Sequence, residues 1–233
     1  MTNPESFPKL QRIGIVVFDD FEPLDVFGFV EAFSIARFPG KTYDDPPPYP
    51  FETALIARHG GKARSINGPT VLADLDFEQA LASPPDVLMF PGGRGTGALI
   101  DDKADPEGVA RLLDWVRAMD RKVPLMVSVC TGAAVLARTG LLDGRPAATN
   151  HTAFDWVAQQ GPKVRWDRVA RWVDAGKYVT SAGTSAGTDL GFYLVSRLAG
   201  RAVAEAAARA AEYDWQRDPL APIHYPPLEH EGA

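Results

Sequence analysis

Cysteine is almost absent from this 233-residue chain: Cys130 is the only one, so no internal disulfide can form. We therefore expect a protein of a reducing compartment. A chain of this length can fold around a hydrophobic core without a disulfide or a metal to hold it. Basic residues are also in deficit, with 24 Lys and Arg against 30 Asp and Glu and a net charge of -6. This balance argues against a general affinity for nucleic acid or for anionic membranes.

Long apolar runs are absent as well. No stretch approaches the roughly 20 apolar residues of a membrane-spanning helix. Residues 1–11 have neither the basic region nor the apolar region of a secretory signal. We therefore expect a soluble, cytoplasmic protein that has neither nucleic acid nor a membrane as its partner.

The chain alternates short apolar segments with helical patterns. Strands are predicted over residues 12–18, 51–58, 86–90, 123–129 and 147–149, and helices over residues 24–37, 106–121, 152–160 and 202–213. A hairpin is predicted around residues 174–176, and residues 62–66 are a possible hairpin arm. This alternation predicts one α/β sandwich with a mainly parallel sheet. Residues 1–233 would form a single domain, with a core over about residues 12–213 and a tail over 214–233.

Cys130 stands where the predicted strand 123–129 ends. Thr131 and Gly132 follow it, and residues 133–138 are good helix formers. The pattern predicts a sharp strand–nucleophile–helix turn, a nucleophile elbow. The helix N-terminus would lower the pKa of the thiol, and the Thr131 N–H would face a developing negative charge. A lone cysteine is often only a small buried apolar residue, but the position at an elbow favours a reactive one.

Polar residues also follow the other predicted strands. Asp25 comes just after the first strand, and Asn150 and His151 follow the short strand 147–149. Doubly wound sheets build their sites at the edge where parallel strands end. Asp25 is thus a candidate site residue, although a carboxylate in the first turn of a helix can simply complement the helix dipole. His151 is either a general base, a cap for the following helix or a surface residue.

A glycine-rich segment, residues 91–97, follows the strand 86–90. It lacks the Gly-Lys-Ser/Thr of a P-loop and the spacing of a dinucleotide-binding turn. It is therefore either a turn whose N–H groups point into a site or an ordinary tight turn between strand and helix. In the tail, His224 and His230 with Glu229 and Glu231 offer metal ligands, but without a strand to position them we predict no metal site.

Four segments resemble motifs of the DJ-1/PfpI superfamily: Phe90-Pro91-Gly92-Gly93, Ser128-Val129-Cys130-Thr131-Gly132-Ala133, Gly140-Leu141-Leu142-Asp143-Gly144 and Thr184-Ser185-Ala186-Gly187-Thr188-Asp189. The resemblance runs from about Ile13 to Tyr213 and covers nearly the whole chain. It implies a flavodoxin-like sandwich with a nucleophile elbow, and a homodimer, since members are usually dimeric.

Within the superfamily, Cys-Thr-Gly combined with an aspartate in the first strand–helix turn looks like the isocyanide hydratase branch. The resemblance implies that Cys130 is the nucleophile, Asp25 the catalytic acid/base and Thr131 a catalytic neighbour. It places Gly92 and Gly93 on the oxyanion-binding backbone. This sequence departs from the family in one place, since a common His-Trp pair is replaced here by Asn150-His151. Asn150 is a candidate for substrate or oxyanion binding.

The implied reaction is the hydration of a small-molecule isocyanide to an N-substituted formamide, without a metal or organic cofactor. One alternative is a glyoxalase or deglycase that acts on α-oxoaldehydes through the same cysteine. Another is a non-enzymatic redox sensor or chaperone in which Cys130 is oxidised. A transcription regulator would need an additional basic DNA-binding domain, for which neither the length nor the charge leaves room.

Overall fold

The computed structural model of the chain describes residues 10–223. The strands are β1 (Gln11–Val16), β2 (Phe51–Ala57), β3 (Gly61–Arg64), β4 (Thr70–Ala73), β5 (Leu75–Asp76), β6 (Val87–Phe90), β7 (Leu125–Ser128), β8 (Pro146–Ala148), β9 (Arg165–Asp167), β10 (Trp172–Ala175) and β11 (Tyr178–Ser181). The helices are α1 (Pro23–Ser34), α2 (Phe77–Ala82), α3 (Gly95–Leu99), α4 (Pro106–Asp120), α5 (Ala133–Arg138), α6 (Phe154–Gln160), α7 (Ser185–Ala199) and α8 (Arg201–Ala210). No helix in this part of the chain is long and apolar enough to cross a membrane.

The central sheet has seven strands in the order β10-β11-β7-β6-β1-β2-β5. Neighbouring strands are parallel except for the antiparallel pair β10 and β11. The inner strands are apolar on both faces, as parallel strands covered by helices must be: Ile13, Ile15, Leu88 and Val127 are buried. The predicted α/β sandwich with a mainly parallel sheet is confirmed.

Two hydrophobic cores flank the sheet. One contains residues of α1, α7 and α8, and the other contains residues of α2, α4 and α5. The small residues of α7 allow it to pack closely, because a Cβ on Gly191 would lie 2.9 Å from the Cβ of Ala32 in α1. A Cβ on Gly187 would overlap the side chain of Val129, the residue before the cysteine. Close packing in this segment therefore positions α7 directly behind the elbow.

Several predicted boundaries differ from the structure. The first helix ends at Ser34 rather than at residue 37, and the helix after Asn150 begins at Phe154. The arm that begins at Gly61 pairs with β4 and forms a separate two-stranded sheet. The prediction missed β9, a three-residue strand that pairs with β8, because three residues are too few to show an alternating pattern. The histidines suggested as metal ligands in the tail lie outside the described residues.

Candidate active site

Strand β7 and helix α5 meet in a tight turn at Cys130. The strand ends at Ser128, and residues Cys130–Gly132 form a single 3-10 turn before α5 begins. Cys130 has a φ of +56°, a left-handed conformation that costs a residue with a side chain roughly 1–2 kcal/mol. The predicted nucleophile elbow is confirmed.

Glycines from two other segments make room for this turn. A Cβ on Gly92, in the turn after β6, would lie 2.6 Å from the Thr131 nitrogen and 2.8 Å from the Cβ of Cys130. A Cβ on Gly183, after β11, would lie 2.7 Å from the Cys130 sulfur and 2.5 Å from Nδ2 of Asn150. Real Cβ atoms do not approach so closely, so a side chain at Gly92 would clash with the backbone of the elbow, and one at Gly183 would displace the Cys130 and Asn150 side chains. The strands on either side of β7 thus bring bare backbone against the cysteine.

Asp25 lies in the first turn of α1 and is fully buried. Its Oδ2 accepts a hydrogen bond of 2.7 Å from the Gly92 N–H. Its Oδ1 is also buried and accepts no hydrogen bond of normal geometry from residues 10–223. Burial raises the pKa of Asp25 from 3.8 to about 8, and the negative charge of Glu22 adds to this, whereas the Gly92 N–H and the nearby Cys130 thiol lower it. The carboxyl group is therefore mostly protonated at neutral pH.

The Cys130 thiol is buried as well, which overturns one prediction from the sequence. Burial and the neighbouring Asp25 raise the pKa of the thiol to about 12. The Thr131 N–H and the Asn150 side chain act in the opposite direction but do not compensate. The predicted lowering by the helix N-terminus fails because α5 has only six residues and the sulfur is largely removed from water. In the resting site both Cys130 and Asp25 hold their protons.

Asn150 points its amide nitrogen at the sulfur. The Ala153 N–H donates to its Oδ1 at 2.8 Å, so the Nδ2 end must face the other way, where it lies 3.2 Å from Cys130 Sγ. The preceding Thr149 donates its hydroxyl to the carbonyl of Cys130 at 2.8 Å. Nε2 of His151 lies 3.3 Å from the carbonyl oxygen of Ala170. The structure thus brings Asn150, and not His151, to the cysteine.

The glycine turn is engaged differently from the predicted oxyanion role. The Gly92 N–H is occupied by Asp25, and the Gly93 N–H donates to Oγ1 of Thr131 at 3.1 Å. The same Thr131 hydroxyl lies 3.0 Å from Oγ1 of Thr96. Neither glycine N–H is therefore available to a developing negative charge, and the two glycines position Asp25 and Thr131 instead. The backbone N–H of Thr131, which lowers the pKa of the thiol, is a donor at the sulfur together with the Asn150 amide.

A cavity of about 370 Å³ opens onto the sulfur. Its wall combines Cys130, Thr131 and Asn150 with the indole of Trp156 and the charged side chains Glu22 and Arg94. Glu22, Arg94 and Trp156 were not predicted as site residues from the sequence. Glu22 stands three residues before Asp25 and one helical turn away, a spacing that could have identified it. Within residues 10–223, no three His, Cys, Asp or Glu side chains are grouped as a metal site requires.

The fold and the elbow define a class: α/β proteins that present a cysteine where a buried parallel strand turns into a helix. The profile of the DJ-1/PfpI family matches residues 11–197. The chain belongs to the DJ-1/PfpI family. A solved structure, a THiJ/PfpI family protein from Pseudomonas syringae, superimposes with a TM-score of 0.73 at 23% identity, covering 100% of this chain and 86% of that one.

Two curated relatives carry names of enzymes. Over 86 residues, the chain is 36% identical to the isonitrile hydratase of Pseudomonas putida. The aligned region covers 37% of this chain and 35% of the hydratase. It is 30% identical over 139 residues to the deglycase TK1284 of Thermococcus kodakarensis, covering 56% of this chain and 72% of the deglycase. The aligned region thus spans about a third of the hydratase. The family therefore includes enzymes, and the two names denote different reactions.

Proposed function

We propose that this protein is a cysteine-dependent hydratase that converts isocyanides into N-substituted formamides, with Cys130 as nucleophile and Asp25 as acid/base. The observation that carries the proposal is the state of Asp25. It is a buried carboxyl group with a pKa near 8 beside the thiol, and the Gly92 N–H donates to one of its oxygens. An acid/base works best when its pKa lies near the operating pH. The partial similarity to an isonitrile hydratase supports the same reaction.

The first step adds the thiol across the terminal carbon of the isocyanide. Asp25 in its ionised form, about a tenth of the molecules at neutral pH for a pKa near 8, removes the thiol proton as sulfur forms a bond to that carbon. The same carboxyl group then delivers the proton to the carbon. The product is a thioimidate in which sulfur and hydrogen are both bound to the former isocyanide carbon. No charge is left on the adduct, and Asp25 is again a carboxylate.

The second step adds water across the C=N bond of the thioimidate. Asp25 accepts a proton from the attacking water and passes it to the nitrogen. The C–S bond then breaks, and the proton of the new hydroxyl group returns to the sulfur. The formamide leaves, and the thiol is regenerated. The Asn150 amide and the Thr131 N–H are placed to hold the sulfur as it gains charge when the C–S bond breaks.

The cavity also suits the substituent of such a substrate. An isocyanide is neutral and carries its reactive carbon at one end, so that carbon can reach a sulfur that is largely buried. The Trp156 indole offers an apolar surface in the same cavity. We therefore expect isocyanides with an aryl or alkyl substituent, which can pack on the indole, to be better substrates than isocyanides with a charged one.

The test is formamide production from benzyl isocyanide by the reduced wild-type protein and by Cys130→Ala and Asp25→Asn. Wild type is expected to form N-benzylformamide, and each variant to be slower by at least about a thousandfold. Asp44→Asn, which changes an exposed carboxylate, is the matched control and should retain full activity. Rapid acid quenching followed by mass spectrometry should detect the thioimidate on the peptide that contains Cys130. Absence of formamide with folded, reduced wild-type protein would refute the proposal.

A deglycase or glyoxalase is the second candidate, and the similarity to a named deglycase favours it. Such an enzyme would attack the carbonyl of an α-oxoaldehyde with the same thiol. The two candidates separate cleanly in a competition assay. Consumption of methylglyoxal without formamide formation would select the deglycase, and the reverse would select the hydratase. A role as a redox sensor, in contrast, would survive Asp25→Asn and depend on Cys130 alone.

A further inference from the structure

The segment that follows α8 returns to the core and contacts α7 and Arg171, the residue before β10. We call residues 213–221 the C-terminal strap. The Tyr213 hydroxyl and the Gln216 N–H both donate to Oδ1 of Asp189 at 3.0 Å, and the Trp215 indole donates to the Asp189 carbonyl at 3.1 Å. The rings of Tyr213 and Trp215 pack on Phe192, with centroids 5.3 and 6.1 Å apart from it. Asp189, which closes one of the family motifs and has no part in the proposed chemistry, is thus the anchor of the strap.

Arg171 joins the strap to this anchor. Its guanidinium group forms an ion pair with Oδ2 of Asp189, and its backbone N–H donates to the carbonyl of Pro219 at 2.7 Å. The side chains of Arg171 and Asp189 are only 12% and 1% exposed. A buried ion pair is expensive to break, because the remaining charge is left without a partner. The ion pair therefore stabilises the position of Arg171, whose backbone N–H binds the strap.

From Arg171 the connection continues to the nucleophile. The Ala182 N–H donates to the carbonyl of Arg171 at 2.7 Å, and the Cys130 N–H donates to the carbonyl of Ala182 at 3.4 Å. The next residue, Gly183, covers the sulfur so closely that its Cβ would lie 2.7 Å from Sγ. One line of backbone hydrogen bonds thus runs from Pro219 through Arg171 and Ala182 to Cys130.

We propose that the C-terminal strap is a positioning element of the active site, and that Asp189 and Arg171 are positioning residues that hold the Ala182–Gly183 backbone against Cys130. The proposal rests on Cys130 being the reactive group of the proposed function, but not on the identity of the substrate. Its contribution is geometric, since neither Asp189 nor Arg171 lines the cavity at the sulfur. Displacement of a supporting element by about 1 Å can lower turnover by up to about a hundredfold.

Loosening the strap has two opposite consequences. The Gly183 backbone moves away from the sulfur, so water reaches Cys130 and the thiol ionises more easily. Alkylation by a small reagent should then become faster. Turnover should become slower, because the sulfur, Asp25 and Asn150 are no longer held in their relative positions. A variant that merely lowers overall stability, while the folded form keeps its geometry, would change neither rate in this way.

The test uses the full-length double variant Tyr213→Phe/Trp215→Phe, which keeps both rings on Phe192 but loses two hydrogen bonds to Asp189. The control is Tyr193→Phe on the same helix, which loses a 2.6 Å hydrogen bond to Asp174 away from the strap. Iodoacetamide alkylation of Cys130 is followed against pH, and kcat and KM are measured with benzyl isocyanide. Circular dichroism establishes the folded state and Tm of each protein.

For the double variant we expect kcat to fall by about tenfold with KM changed less than about twofold. The pH at half-maximal alkylation should move down, while the control matches wild type in both assays. Unchanged kcat and an unchanged alkylation profile in the folded double variant would overturn the proposal. If the double variant does not fold, Trp215→Phe alone is judged by the same two measurements. If no isocyanide is turned over, the proposed function fails, but the alkylation profile still decides the role of the strap.

Discussion

Replacement of Asp25 by Asn should remove activity and at the same time stabilise the protein at neutral and alkaline pH. The carboxyl group has a pKa of about 8 in the folded protein, against 3.8 when it is exposed. Between these two values the unfolded chain releases a proton that the folded protein retains. Stability contributed by the protonated carboxyl is therefore lost as the pH rises through this interval. Asn can accept the Gly92 hydrogen bond but never has to ionise.

The magnitude follows from the two pKa values. At about 1.4 kcal/mol per pKa unit, the interval from 3.8 to about 8 corresponds to roughly 6 kcal/mol at high pH. At about pH 5 only about 2 kcal/mol of this penalty is present, because little of the interval has been crossed. The difference in unfolding free energy between Asp25→Asn and wild type should therefore widen by about 4 kcal/mol between about pH 5 and about pH 9.

The assay is urea denaturation of both proteins at several pH values in reducing buffer, followed by tryptophan fluorescence. The difference between the two proteins cancels the titration of the groups that they share. Asp44→Asn, at an exposed position, should show a difference from wild type that is small and constant with pH. A constant difference for Asp25→Asn as well would mean that Asp25 ionises in the folded protein as it does in water. The acid/base role derived from its burial would then be refuted.

Three further changes probe the site. Because the Asp25 carboxyl must ionise to accept the thiol proton, kcat/KM should rise with pH to a plateau above about pH 8. Glu22→Gln removes a negative charge beside Asp25, so it should move this rise to lower pH. Asn150→Ala should raise the pKa of the Cys130 thiol further and lower kcat by about 10- to 100-fold, as measured by the pH dependence of alkylation and by steady-state kinetics. Gly92→Ala, whose Cβ would lie 2.6 Å from a backbone nitrogen of the elbow, should abolish formamide formation. Gly144→Ala is the control for this variant. Its φ of +71° is strained for alanine, but open space surrounds the residue, so the change should lower Tm and leave kcat unchanged.

The sequence predicted which residues meet because chain topology is nearly sufficient for that purpose. The carboxyl ends of parallel strands lie at one edge of a sheet, so residues that follow the strands are neighbours. Asp25 after β1, Gly92 after β6 and Cys130 after β7 are brought together as this rule requires. Asn150 follows β8, which pairs with β9 outside the central sheet, and it reaches the sulfur from there. The elbow itself was visible in the sequence as an apolar strand that stops at a cysteine before a helix.

The protonation state of the site could not be predicted in this way. The pKa of the thiol depends on how completely the sulfur is removed from water, and its cover comes from Gly183, which is distant in the sequence. The roles of Gly92 and Gly93 depended on where each N–H points, which local sequence does not determine. The sequence pattern indicates which residues lie at the site, whereas the direction of hydrogen bonds and the burial of side chains follow from the packing of the whole domain.

In the resting site Cys130 and Asp25 are thus both buried and neutral, and this protonation state bears on which reaction the site can catalyse. A cysteine enzyme that only needs a nucleophile gains from a cation that keeps sulfur ionised, and here Asp25 and Glu22 do the opposite. An isocyanide carbon, however, must receive both a nucleophile and a proton. A thiol and a carboxylate that share a dry site can deliver both, because the carboxylate removes the thiol proton and returns it to the carbon, so the net charge of the site does not change during the addition. The elevated pKa values therefore favour addition to a neutral, proton-requiring carbon, and Asp25→Asn tests that inference by removing the proton carrier while leaving the nucleophile in place.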